Sequence, residues 1–200
     1  MNLATMLTVS RVAVAPVFAY VFISGYGNEQ SGVAWLWISL ALLTLIELSD
    51  MFDGMVARSR KEVTDFGKVC DPIADSVSRQ TVFIAFLLTG IIPLWMYLIF
   101  FYRDAFMQLL RIVCASNGIV QAARVSGKLK AVFQAIASYV IVGIILLNKY
   151  GIDIIPLQTG GYHTGFWVML AVALYTAFSV IDYIIPNRHV FAKVMQPKKG

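Results

Sequence analysis

Charge is scarce in this chain. Only 14% of its 200 residues are Asp, Glu, Lys or Arg, while 59% are hydrophobic. A soluble domain carries about a quarter charged and roughly 45–50% apolar residues. A fully water-facing surface is therefore excluded, and lipid is expected around much of the molecule. Cysteine is nearly absent: Cys70 and Cys114 each sit in or beside an apolar run, which argues against a disulfide framework. The two histidines, His163 and His189, fall in a predicted loop and tail, where solvated side chains are expected rather than catalytic ones. No polar stretch is long enough for a second domain, so one domain over residues 1–200 is expected. Internal repeats and low-complexity segments are absent as well.

What the chain has in abundance is long apolar runs, with a mean hydropathy of +0.75. A membrane-spanning helix needs roughly 20 mostly apolar residues. Six spans are predicted: about Val9 to Ser24, Val33 to Val56, Pro72 to Thr89, Leu94 to Cys114, Ala131 to Leu147, and Phe166 to Ile185. Gly90 to Pro93 reads as a tight break, and Pro186 as the end of the last span. The first run lacks an A-x-A-like cleavage site and reads as a retained helix. Trp35, Trp37, Trp95 and Trp167 sit near span ends, as interfacial anchors do. The expected fold class is all-α, an integral membrane bundle of six transmembrane helices.

The net charge is +5 and the pI about 9.3. No interleaving of aromatic and basic residues on a polar face supports a nucleic-acid partner; anionic membrane lipid accounts for the basic balance. Arg58, Arg60, Lys61 and Lys68 lie between spans two and three. Arg124, Lys128 and Lys130 lie between spans four and five, and Arg188, Lys193, Lys198 and Lys199 follow span six. The alternate loops, 25–32, 90–93 and 148–165, hold only Lys149. This bias places both termini in the cytoplasm.

The chemistry-bearing residues gather between 47 and 75. Glu47, Asp50 and Asp53 recur every third residue and fall on one broad helix face. Asp71 and Asp75, four apart, share another. A solvated loop edge explains Arg60, Lys61, Glu62 and Asp65, but not these aspartates. A charged aspartate inside a span costs about 2.5–3.5 kcal/mol at the helix centre and less near the interface. Close carboxylate pairs add about 4 kcal/mol of repulsion at an effective dielectric near 20. Bound cations would neutralise that repulsion, and oxygen ligands select Mg²⁺, Mn²⁺ or Ca²⁺ over softer ions, which also argues against Cys70 as a ligand. Paired metals in a carboxylate site point to phosphoryl chemistry. Gly54 and Gly67 would allow close approach of a ligand or of a neighbouring helix. Arg58 could hold a phosphate or simply mark the cytoplasmic side. A proton or cation relay would string its carboxylates across the membrane; these gather at one boundary.

The string Asp50-x-x-Asp53-Gly54-x-x-Ala57-Arg58-x8-Gly67-x3-Asp71-x3-Asp75 resembles the signature of the CDP-alcohol phosphatidyltransferase family at all its fixed positions and spacings. Chance would produce it on the order of once in 10⁸ such chains. The resemblance implies that Asp50, Asp53, Asp71 and Asp75 ligate two Mg²⁺ or Mn²⁺ ions, and that Asp75 is also the catalytic base on an acceptor hydroxyl. It implies a CDP site at Gly54, Ala57, Arg58 and Gly67, CDP-diacylglycerol as donor, and a homodimer. The setting it implies is a bacterial cell membrane, multi-pass, with the site facing the cytoplasm. Arg79, four residues beyond Asp75, could orient that base or merely pair with it.

Within the family, the nearest subgroup is the one whose acceptor is glycerol 3-phosphate. Met1-Asn2-Leu3 with Leu7-Thr8 and Arg11, Thr64-Asp65-Phe66-Gly67, and Gly127-Lys128-Leu129-Lys130 downstream of Arg103-Asp104 carry that likeness. A dianionic acceptor needs cationic donors, and Arg111, Arg124, Lys128 and Lys130 are the candidates. Asp104 beside Arg103 reads either as a buried pair or as part of the active cavity. Ala4-Thr5, Ser76 and Ala131 depart from the subgroup pattern without touching the signature. Inositol phosphate, serine and phosphatidylglycerol are the alternative acceptors.

Overall fold

The computed structural model describes residues 3–29, 31–60, 65–116, 125–153 and 155–194. These form six helices: α1 (Leu3–Gly27), α2 (Gly32–Arg60), α3 (Asp65–Leu88), α4 (Leu94–Ser116), α5 (Val125–Lys149) and α6 (Thr164–Val194). Each predicted span has its helix, and every helix except α3 and α4 extends beyond the predicted run at both ends. α6 continues through Pro186 to Val194, where a stop was expected. Pro16 and Pro72 are likewise enclosed in α1 and α3. Proline removes one backbone donor but does not by itself forbid a helix whose neighbours satisfy the freed carbonyl.

Three segments, Gly32–Ser49, Ser126–Lys149 and Thr164–Asp182, are long and apolar enough to cross a membrane. α3 carries Asp71, Asp75 and Arg79, and α4 carries Arg103, Asp104 and Arg111, which lowers their mean hydropathy. Many large apolar side chains point outward, among them Trp37, Leu45, Ile136, Leu174 and Phe178. In water such a surface would be a liability; against lipid it is the expected exterior.

α1 packs most extensively on α2 and then on α3, while α4 and α5 both pack on α6. α1 is the principal packing partner of both α2 and α3 among the described residues. The core is aromatic along this seam. Phe22 stacks on Phe18 with centroids 5.7 Å apart and meets Phe86 edge-on at 5.3 Å. Phe83 lies 4.7 Å from Phe100, joining α3 to α4. Serine and threonine hydroxyls inside the helices bond carbonyls one turn back, as Ser39 does to Trp35 and Ser138 to Gln134, which keeps buried donors satisfied without water.

One end of the bundle is closed by loops. Gly90 (φ 73°) turns the chain between α3 and α4. Between α5 and α6 stands a two-stranded antiparallel hairpin, pairing Gln158 with His163 and Thr159 with Tyr162, in a stretch read from sequence as plain loop. Lys149 Nζ donates to the Asn28 carbonyl at 3.1 Å, and Trp37 Nε1 donates to the Tyr150 hydroxyl at 3.0 Å, so the α1–α2 and α5–α6 connections meet here. His163 is half-buried rather than solvated: its ring lies 6.2 Å from Tyr26 and its Nδ1 accepts the Gly165 amide at 2.9 Å. The opposite end, where α2 stops and α3 begins, carries the signature residues.

Candidate active site

The α2–α3 junction is set by chain length and by one ion pair. Arg60 and Asp65 are five residues apart, so their Cα atoms are within about 18 Å of each other and the two helix ends share one end of the bundle. Farther in, Arg79 Nη1 of α3 lies 3.9 Å from Glu47 Oε1 of α2. From that level α2 climbs toward the junction, reaching Asp50 after about 4.5 Å and Asp53 after about 9 Å. Traced back, α3 reaches Asp75 after about 6 Å and Asp71 after about 12 Å. The four signature aspartates therefore occupy interleaved levels on two helices at one end of the fold. The backbone at Gly54, Ala57 and Arg58 continues α2, and Gly67 lies in the first turn of α3. The side chains from 53 to 70, and those of Asp50 and Met51, are outside the described set, as is Arg124 altogether.

The described carboxylates are held by specific partners. Thr8 of α1, buried, donates its hydroxyl to Asp71 Oδ1 at 2.9 Å. Arg79 Nη2 donates to Asp75 Oδ1 at 2.6 Å, and its Nη1 donates to the Ala131 carbonyl of α5 at 2.9 Å. The Arg79 side chain is only 7% exposed against 36% for Asp75, so the arginine is the anchored member and the carboxylate the accessible one.

Asp75 stands between two cavities. The inner one, a narrow cleft, is lined by Arg11, Glu47 and Arg79 with Ser78 and Ser138. The outer one, wider, is lined by Ser76, Arg103, Asp104, Arg111 and Lys130, over Gly127 and Ala131. Of the expected acceptor-phosphate residues, the structure brings Arg111 and Lys130 to this outer cavity. Lys128 is exposed and outside its lining. Lys130 is buried, with Nζ 2.6 Å from Asp104 Oδ1. Arg103 and Asp104 are a buried pair and also part of the cavity, so both alternatives left open by the sequence hold. The pairing of Arg79 with Asp75 follows the expected spacing of four, whereas its reach to Glu47 and the bond of Thr8 to Asp71 were not legible in the sequence, because those partners lie on different helices.

Oxygen donors of this kind suit a hard divalent cation, and the Thr8 hydroxyl fixes Asp71 in the way outer hydrogen bonds orient metal ligands. Among the described side chains, no three Asp, Glu, His or Cys groups converge on a metal position; the expected set requires Asp50 and Asp53.

A helical bundle with paired aspartates on two helix ends, beside a cationic cavity, defines a class of membrane-embedded phosphotransfer proteins. The family profile for CDP-alcohol phosphatidyltransferase matches residues 1–181. The chain belongs to that family. It is 31% identical over 185 residues to a protein of Mycobacterium tuberculosis named "Probable phosphatidylglycerophosphate synthase", covering 92% of this chain and 80% of the relative. It is 32% identical over 143 residues to the "CDP-diacylglycerol--glycerol-3-phosphate 3-phosphatidyltransferase" of Bacillus subtilis, covering 68% and 74%. A Mycoplasma genitalium protein of the same name is 26% identical over 206 residues, covering 96% and 85%.

Proposed function

We propose that this protein transfers the phosphatidyl group of CDP-diacylglycerol to sn-glycerol 3-phosphate, giving phosphatidylglycerophosphate and CMP. It is a transferase of phospholipid biosynthesis acting in the membrane. The single observation that carries the site assignment is the interleaved placement of Asp50, Asp53, Asp71 and Asp75 at one end of the bundle, beside a cavity lined by Arg103, Arg111 and Lys130. The names of relatives matched over most of their length support the acceptor.

In this reading the acceptor hydroxyl attacks the phosphorus nearer the lipid. The new P–O bond forms as the bond to CMP breaks, and Asp75 takes the hydroxyl proton. Arg79 holds one oxygen of Asp75, leaving the other for the substrate. Gly54, Ala57, Arg58 and Gly67 line the cytidine diphosphate, and Arg111, with Lys128, Lys130 and Arg124, receives the acceptor's phosphate. Two Mg²⁺ or Mn²⁺ ions held by the four aspartates would supply charge neutralisation for the diphosphate. All six helices span the membrane as one domain over residues 1–200, with both termini and the site on the cytoplasmic side of a bacterial cell membrane, and the enzyme works as a homodimer.

The test is CMP release by purified enzyme from CDP-diacylglycerol with each alcohol in turn. Release is expected to be fastest with glycerol 3-phosphate and to stop when EDTA removes divalent ions. Equal or faster release with inositol phosphate, serine or phosphatidylglycerol overturns the acceptor, and undiminished release in EDTA overturns the metal requirement.

A further inference from the structure

Glu47 belongs to no part of the signature, and the proposed reaction leaves it without a role. It is the only charged residue in Gly32–Ser49, a segment long and apolar enough to cross a membrane. Its Oε1 lies 3.9 Å from Arg79 Nη1, and its side chain is 26% exposed. A charge within a span is costly, while an ion pair this long and this open returns little stability. Stability therefore does not account for a carboxylate at this place.

Its level in the bundle does. Glu47 lies three residues, about 4.5 Å, deeper than Asp50 on α2, and Arg79 lies four residues, about 6 Å, deeper than Asp75 on α3. Each shares a helix face with the aspartate one turn above it; for Arg79 the bond from Nη2 to Asp75 Oδ1 fixes this directly. The pair thus crosses from α2 to α3 one turn beneath both halves of the aspartate set. Direct packing does not set that crossing, because α2 and α3 each pack chiefly on α1 among the described residues. Arg79 is a firm anchor for it, being buried and bonded as well to the Ala131 carbonyl of α5. The charges of the inner cleft also depend on Glu47. Two arginines, Arg11 and Arg79, face two carboxylates, Glu47 and Asp75. A cation that draws on Asp75 takes half of that negative charge, and a buried arginine left without a carboxylate is costly. Glu47 keeps Arg79 balanced, and so in place, when the site is loaded.

We propose that Glu47 is a positioning residue. Through Arg79 it holds α2 against α3 and so sets the spacing of Asp50 and Asp53 from Asp71 and Asp75 for divalent cations. It touches neither the cations nor the substrate. The part that concerns cations rests on the aspartate assignment proposed above; the part that concerns helix spacing does not.

The experiment takes two readouts on Glu47→Gln without substrate. The first is Mn²⁺ affinity, read from the paramagnetic resonance of the free ion. The second is the distance distribution between spin labels at Phe52→Cys and Ile73→Cys, exposed positions on α2 and α3, with Cys70→Ala and Cys114→Ala and no metal added. The Mn²⁺ Kd is expected to rise about tenfold, as when an outer partner of a metal ligand is lost. The label distribution should broaden toward longer distances, and the unfolding temperature should stay near that of the parent. In an Arg79→Met background Glu47→Gln should add nothing, because it acts through the arginine. A Mn²⁺ Kd within about twofold of the parent overturns the proposal, as does an unchanged label distribution. A further loss of affinity in the Arg79→Met background overturns it too, since Glu47 would then attract the cation directly. If Arg79→Met does not fold, Glu47→Asp decides. It keeps the charge but shortens the reach, so affinity should fall nearly as far as in Glu47→Gln; affinity like the parent's overturns the proposal. A parent that binds no Mn²⁺ refutes the aspartate assignment, and the label distances then decide the clamp alone by the same criterion.

Discussion

Arg79 Nη2 stands 2.6 Å from Asp75 Oδ1, one helical turn away, and the same guanidinium faces Glu47 of α2 and the Ala131 carbonyl of α5. A surface pair at this spacing adds a few tenths of a kcal/mol. Here the arginine is buried and is shared among three helices. Removing it leaves the half-exposed Asp75 without its counter-charge and the Ala131 carbonyl without its donor, which costs more than a surface pair would. Arg79→Met is therefore expected to lower the unfolding temperature in detergent markedly. Glu47→Gln, whose contact is 3.9 Å and 26% exposed, should cost under about 1 kcal/mol. Equal effects from the two variants would show that Arg79 is not the organising member.

The two ends of the aspartate signature should fail differently. Asp75→Asn keeps the shape of the site but removes the base, so turnover should fall at least about a thousandfold while CDP binding is largely retained. Asp50→Asn should lose metal and nucleotide binding together. Calorimetric titration with CDP and Mg²⁺ distinguishes them; equal nucleotide affinity in Asp50→Asn and the parent would remove Asp50 from the metal set.

At the other end of the bundle, α1 and α2 cross closely because two glycines face the crossing. A Cβ on Gly25 would lie 2.7 Å from Trp35 Cβ, and one on Gly32 would lie 2.6 Å from the Gly25 carbonyl oxygen. Neither neighbour is a flexible side-chain end, so the helices themselves must move apart. Gly25→Val is expected to destabilise the protein by about 1–3 kcal/mol, the usual cost of overpacking. Activity in the remaining folded fraction should be near that of the parent, since the site lies at the opposite end. Thermal unfolding paired with specific activity checks both parts.

His163 provides a pH dependence with a defined sign. Burial beside Tyr26 pulls its pKa below the usual value of 6.5. The unfolded chain then binds the proton more readily than the folded one, so stability is greatest above 6.5 and declines as pH falls through that value. Unfolding temperatures between pH 7.5 and 5.5 should drop more for the parent than for His163→Phe. Parallel curves would mean that His163 does not contribute.

The aspartate pattern and the motif around it were legible because their information is local. The carboxylate spacing at 47–53 and 71–75 is a helix-face pattern, and the signature glycines and Arg58 are counted along the chain. Six helices followed from apolar runs, and Gly90 from its place in a tight break. Pro186 misled because its penalty is local while the compensation comes from neighbours. The hairpin at 158–163 was missed because strands of two residues leave no periodicity to read.

Composition and spacing, then, were enough to point to a helical membrane chain and its paired aspartates, and the likeness of that motif to a known signature pointed to the family. The sequence alone could not say that Thr8 would meet Asp71, that Arg79 would join Asp75 to Glu47, or that Asp104 would gather Lys130, Ser76 and Gln80. Those partners lie 24 to 63 residues apart along the chain or on helices brought together only by packing. A buried charge is stabilised by whatever reaches it in space, and only the folded arrangement of α1 to α6 decides what that is.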